Sequence, residues 1–140
     1  MIKTFEDLKE ISEVYGRISS PEFLKTKLGY AFKRFYEKSM TPIFTDFNDL
    51  LQDIRIDNAL TNKDTGEILY QPDARNFKYT PEALKIVLNK IKEFTREWDK
   101  KEFEVKPFIC NEIPSIIEFT EEEKVLLEGV ILNSKPTQAE

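Results

Sequence analysis

The chain has 140 residues, 40% hydrophobic and 34% charged, with a net charge of -5 and no histidine. That is enough for one soluble domain. It removes the commonest general base near neutral pH, the commonest zinc ligand and every Ser-His-Asp or Cys-His arrangement within the chain. The single cysteine, Cys110, excludes an intrachain disulfide, and the four glycines are too scattered for a phosphate-cradling loop.

In chain order, Thr4 with Asp7 predicts a capped helix start. Phe5, Leu8, Ile11, Val14, Tyr15 and Ile18 recur at threes and fours as an amphipathic stripe that ends near Gly16. Ser20-Pro21-Glu22 predicts a second helix start. Its apolar face is Leu24, Leu28, Ala31, Phe32 and Phe35, and the stripe resumes as Ile43, Phe47, Leu50, Leu51 and Ile54. Thr41-Pro42 lies between, so the expectation is one long rod with a kink or short break there.

Residues 58–80 change character. Two turn clusters, Asn62-Lys63-Asp64-Thr65-Gly66 and Gln71-Pro72-Asp73-Ala74-Arg75-Asn76, bracket Glu67–Tyr70 and precede Phe77–Tyr79, a hairpin pattern. Thr80-Pro81-Glu82 opens a third helix that carries Leu84, Val87, Leu88, Ile91, Phe94 and Trp98 to Lys100-Lys101. Residues 103–110 alternate in period two and predict an edge strand broken by Pro107, available to pair with the hairpin. Thr120-Glu121-Glu122-Glu123 is a capping box for a last short helix with Val125, Leu126, Val130 and Ile131. The fold expected is helix-dominated α+β: long helices packed antiparallel, a β-hairpin and a short C-terminal strand. Residues 1–132 are read as one domain and 133–140 as a polar tail.

Charge is segregated. Residues 21–40 carry five basic and two acidic side chains, 41–60 one basic and four acidic, and 107–140 two basic and seven acidic. Asp46, Asp49, Asp53 and Asp57 fall at helical spacing on one flank, either a solvated face or a docking strip for a basic partner; a metal cage there is disfavoured because oxygen cages need a turning loop. Lys25, Lys27, Lys33, Arg34 and Lys38, with Tyr30 and Tyr36, have some flavour of a phosphate and base surface, but the acidic total favours a helix's polar face, and nucleic acid is not the expected partner. Asp64-Thr65-Gly66 matches an aspartic protease tripeptide, yet its polar neighbours mark a turn. Phe103, Phe108 and Phe119 lie in irregular or edge segments and are the candidates for an exposed apolar contact surface. Neither a cofactor nor a membrane-spanning segment is expected, and the charged N-terminus carries no leader pattern.

The order of these elements, with "LGYAFKRFYEK", "DNALTNKDTGEILYQPDARNFKYTPE", "EFTREWDKKEFEVKPF" and "FTEEEKVLLEGVI", resembles a family of small tailed-phage and prophage proteins of unknown function. The resemblance spans most of residues 5–132. It implies a phage origin and a non-enzymatic accessory or structural role through contacts with itself or other phage proteins, in the host cytoplasm or the virion. The alternative is a phage-encoded inhibitor that binds a host protein through its acidic surface. An enzyme that relies on carboxylates or a metal alone is the remaining rival.

Overall fold

The computed structural model describes residues 1–133, 137 and 138. Apart from Asn133 and the two residues of a short strand, the expected tail 133–140 lies outside the described residues. The architecture is helix-dominated α+β, as the patterning predicts. Where the sequence reading takes residues 1–132 together, the chain divides into two compact units: Met1–Phe44 with Asp99–Glu140, and Thr45–Trp98.

The first unit opens with β1 (Ile2–Thr4) and α1 (Phe5–Ile18). Thr4 and Asp7 form a complete capping box: the hydroxyl accepts from Asp7 N at 3.2 Å and the carboxylate from Thr4 N at 3.3 Å. Phe5, Leu8, Ile11, Val14 and Ile18 are all buried, the predicted stripe. The helix ends at Ile18, two residues past Gly16, near the expected point.

The expected second helix is broken in two. α2 (Pro21–Leu24) stops after one turn, and α3 (Lys27–Phe35) starts afresh. Thr26 makes the break: its hydroxyl donates to Phe23 O at 2.6 Å and accepts from Gly29 N at 3.0 Å, closing one helix and capping the next. The break turns Phe23 into the core and leaves Leu24 half-buried, a register shift relative to a continuous helix.

From Lys27 the chain stays helical to Asn58, so the expected rod forms. The kink is a π-helical turn, Tyr36–Met40, ahead of α4 (Thr41–Asn58). Thr41 donates both its N–H and its hydroxyl to Tyr36 O, the latter at 3.0 Å. Pro42 brings a ring and no N–H. Widening the turn before it relieves the ring's clash with the preceding turn.

α5 (Pro81–Asp99) leads to β2 (Glu102–Glu104). β2 pairs antiparallel with β1, Ile2 opposite Glu104 and Thr4 opposite Glu102, and not with the hairpin. Beyond Pro107 the chain still bonds backbone to backbone, Phe108 N to Val130 O at 2.8 Å and Cys110 N to Ile131 O at 2.7 Å. β3 (Glu112–Ile113) pairs in parallel with β4 (Thr137–Gln138). α6 (Glu121–Leu127) is shorter than its apolar pattern: Gly129, at φ +82°, turns the chain, and Val130, Ile131 and Leu132 enter the core in a tight turn whose three N–H groups donate back to Leu127 O. Leu127 takes the buried position, and Val125 is 69% exposed.

Thr120 and Glu123 close the second capping box, and Glu123 also pairs with Arg17 of α1. Burial pushes the Glu123 carboxyl up, but the Thr120 N–H and the Arg17 guanidinium outweigh it and hold the group below its ordinary value of 4.5. The folded carboxylate therefore binds a proton less readily than the unfolded one. Its stabilisation is complete above pH 4.5 and fades as pH falls through the lowered folded value. Thermal unfolding at pH 6 and pH 3 should show a drop in Tm that Glu123→Gln reduces; an equal drop in the variant would refute the assignment.

Within the second unit, α4 and α5 run antiparallel. Phe47 stacks on Phe94 at 5.3 Å between centroids and meets Trp98 at 5.8 Å. Between the helices the expected hairpin forms with a single isolated antiparallel bridge, Tyr70 with Phe77, and a second bridge, Thr61 with Ile68, adds an unexpected pairing across the preceding turn. Leu60 joins them as a third segment, accepting from Leu69 N at 2.8 Å and donating to Lys78 O at 2.9 Å. Asp64-Thr65-Gly66 is an exposed turn: Asn62 Oδ1 accepts from Asp64 N at 2.8 Å and Thr65 N at 3.1 Å, and Gly66 takes φ +76°.

Candidate protein-docking face

Helical spacing assigns Leu50 to the core face of α4, and Leu84 and Leu88 to that of α5. The structure leaves all three in solvent: Leu84 is 43% and Leu88 58% exposed. The cause is architectural. A pair of helices covers only the edges of the two stripes that face each other, and a wide stripe needs a third layer. In the second unit only Phe77, Val87 and Trp98 are buried among the hydrophobic side chains.

Beside Leu84 and Leu88 lies a hollow of about 300 Å³, lined by Gln52, Arg55, Arg75, Asn76, Phe77, Tyr79, Leu84, Val87, Leu88 and Ile91. Its rim is basic and amide-bearing, its floor is apolar, and no carboxylate lines it. A second hollow of about 520 Å³ shares Asn76, Phe77, Tyr79 and Leu84 with it.

The loop that supplies Arg75 is held firmly. The Asp73 carboxylate accepts from Arg75 N at 2.8 Å, Asn76 N at 3.1 Å and Asn76 Nδ2 at 2.8 Å. The first of these contributes most to keeping Asp73 below the usual carboxylate range. Ala74 sits in the left-handed region, φ +58°, a strained conformation for alanine. Thr80 caps α5 by accepting from Ala83 N at 3.1 Å, which fixes where Leu84 begins the helical flank. Burial raises the Tyr79 phenol above its ordinary value against the opposing pull of Arg55, so it stays a neutral hydrogen-bond donor beside the guanidinium.

The larger hollow of the first unit, about 830 Å³, is lined by Arg17, Glu123, Ile116, Phe119 and neighbours. Its guanidinium is already paired with Glu123, so it offers a ligand less charge to satisfy.

The sequence candidates divide. Asp46, Asp49, Asp53 and Asp57 are all exposed along one flank of α4, and none of them forms an ion pair among the described residues. Among the described residues no group of three or more His, Cys, Asp or Glu could hold a metal ion. The three phenylalanines are a correction. Phe119 is 5% exposed and part of the core, because the turn into the Thr120 cap points it inward. Phe103 is half-buried against Phe5, 6.4 Å between centroids, with Lys101 Nζ 5.4 Å from its ring. Phe108 is half-buried under the Arg34 guanidinium at 4.8 Å and Lys106 Nζ at 5.5 Å. No open phenylalanine surface results. Of the basic segment, Arg34 is engaged with Phe108, and Tyr36 is stacked on Tyr15 at 4.8 Å. The reading missed Arg55, Arg75 and Tyr79; the non-glycine left-handed turn that presents Arg75 has no sequence signature.

No protein-family model, curated protein or solved structure matches the chain. No helix among the described residues is long and apolar enough to cross a membrane.

Proposed function

We propose that this is a non-enzymatic protein-contact component, a phage accessory or structural protein of the host cytoplasm or virion, which docks a protein on the second unit's exposed face. The observation that carries the reading is the exposure of Leu84 and Leu88 beside Arg55 and Arg75, at positions whose spacing belongs to a core. Exposed apolar side chains rimmed by cations are the composition of contact surfaces.

A photo-crosslinking amino acid at position 88 tests it in cells. A protein adduct is expected there and none at Lys63, in the exposed turn. Equal labelling at both positions, or none at either, would refute the reading. Leu88→Gln should abolish the function with a stability change within about 0.5 kcal/mol, because the side chain is mostly in water already.

The inhibitor alternative draws support from the four exposed aspartates of α4. It predicts that reversing Asp49 and Asp53 releases a host protein that Leu88→Gln still captures.

A further inference from the structure

We propose that the occupant of this face is a second copy of the chain, and that the part of it that docks is the aspartate flank of α4. The inference rests on the docking reading above and names its partner.

The two surfaces are complementary in charge, composition and length. The groove presents Arg55 and Arg75 beside Leu84 and Leu88, and its lining holds no carboxylate. Along α5 the exposed Lys92 and Arg96 follow Leu88 at intervals of four, a row that winds about 40° around the helix at each step beyond the groove. The flank of α4 presents Asp46, Asp49, Asp53 and Asp57, bordered by the exposed Leu50 and Ile56. At a rise of about 1.5 Å per residue, the acidic flank from 46 to 57 spans roughly 16 Å, and the apolar-basic flank from 84 to 96 roughly 18 Å. Like charges at helical spacing repel one another mildly, and a facing row of cations turns that repulsion into attraction.

One copy cannot satisfy both surfaces by itself. Arg55 stands two residues from Asp53 and from Asp57, roughly 200° around the helix from each. The groove and the acidic flank therefore look in different directions. A contact in which one copy gives its flank and the next its groove is heterologous, and it propagates as an open chain or closes as a ring. Because the aspartates, Arg75, Lys92 and Arg96 are exposed and Arg55 is half-buried, the contact weakens as salt screens the charges.

Sedimentation velocity on the full chain tests this. At about 50 mM salt the wild type should grow from monomer to species larger than dimer as concentration rises from micromolar to several hundred micromolar. It should revert toward monomer at about 500 mM salt. Arg55→Glu with Arg75→Glu removes the groove, and Asp49→Lys with Asp53→Lys removes the flank. Each variant alone should remain monomeric. An equimolar mixture should form a 1:1 complex that stops at two chains, since one partner still has a flank and the other a groove. Circular dichroism checks folding, and Leu88→Lys with Arg75→Glu replaces the groove variant if Arg55→Glu unfolds. A wild type that is monomeric throughout, a variant that assembles like wild type, or a mixture that stays monomeric overturns the proposal. In each of those cases an adduct at position 88 to some other protein would still uphold the docking face, so the two ideas fail separately.

Discussion

Gly29→Ala is expected to destabilise the first unit by about 3 kcal/mol or more, the upper end for an overpacked site. A Cβ at position 29 would stand 1.9 Å from Phe23 O, 2.7 Å from Phe23 C and 2.9 Å from Leu24 Cα. All three are backbone atoms of α2, and none can rotate away. The site cannot relax cheaply either, because the Thr26 hydroxyl bridges Phe23 O and Gly29 N. Separating the two short helices breaks that bridge and lifts Phe23 and Leu28, both fully buried, from the core. Gly16→Ala is the matched control. Nothing lies within 4 Å of its Cβ position, and the residue is helical, in the last turn of α1. It should leave stability unchanged or raise it by up to about 0.5 kcal/mol through helix propensity, since the interior value of about 1 kcal/mol is attenuated in a last turn. Urea unfolding of both variants gives the comparison, and a Gly29→Ala protein within 1 kcal/mol of wild type would refute the packing argument.

Phe119→Ala should cost about 3–5 kcal/mol, the range for a large aromatic removed from a packed core. The ring packs in the same cluster as Leu8, Ile11, Phe32 and Leu127, immediately ahead of the Thr120 cap. Loss of the ring leaves a cavity next to a helix start. Phe108→Ala removes a ring that is only partly buried, beside two cations, and about 1–2 kcal/mol is expected, since only part of the transfer term is lost. Equilibrium unfolding ranks the two. Were Phe119 an exposed contact residue, the order would reverse and the Phe119→Ala protein would lose a partner instead of stability.

Those two phenylalanines show where sequence reasoning stopped. Helix starts were legible, because caps are local: Thr4, Ser20, Thr80 and Thr120 each accept from a backbone N–H three residues on. Thr26 caps in the same way, yet it was masked by an apolar pattern that continues through the break. The rod through Pro42 was legible from its seam, and the π turn that accommodates it was not, since a widened turn leaves the periodicity nearly intact. Irregular segments were the hardest. Whether Phe103, Phe108 or Phe119 faces inward depends on partners a hundred residues away, such as the strand pairing of Ile2 with Glu104. Three residues of Ile-Lys-Thr carry no alternating pattern by which β1 could have been found.

The candidate face was half legible. The aspartate flank follows from spacing alone, and the structure leaves it exposed. Leu84 and Leu88 were read as core, and by pattern they are. What the pattern could not convey is how many layers surround it. The apolar arc of α5 is wider than one neighbouring helix can cover. The groove rim adds Arg75, whose place depends on three hydrogen bonds to Asp73 and a left-handed alanine.

The antiparallel pairing of α4 and α5 also bears on how the chain finds its fold. The first unit is discontinuous in sequence: residues 1–44 and 99–140 are joined through everything between. A flexible connection of that length would have to be closed before β1 could meet β2, and each doubling of a loop adds about 0.6 kcal/mol to the closure entropy. The aromatic contact of Phe47 with Phe94 and Trp98 brings the two ends of the second unit together. Once that helical hairpin forms, the effective loop shrinks from roughly fifty residues to a handful, a saving of about 2 kcal/mol by the same scaling. The thinly packed unit then serves as a clasp, and weakening Phe47 or Trp98 should slow refolding of the first unit through a pairing that lies outside it.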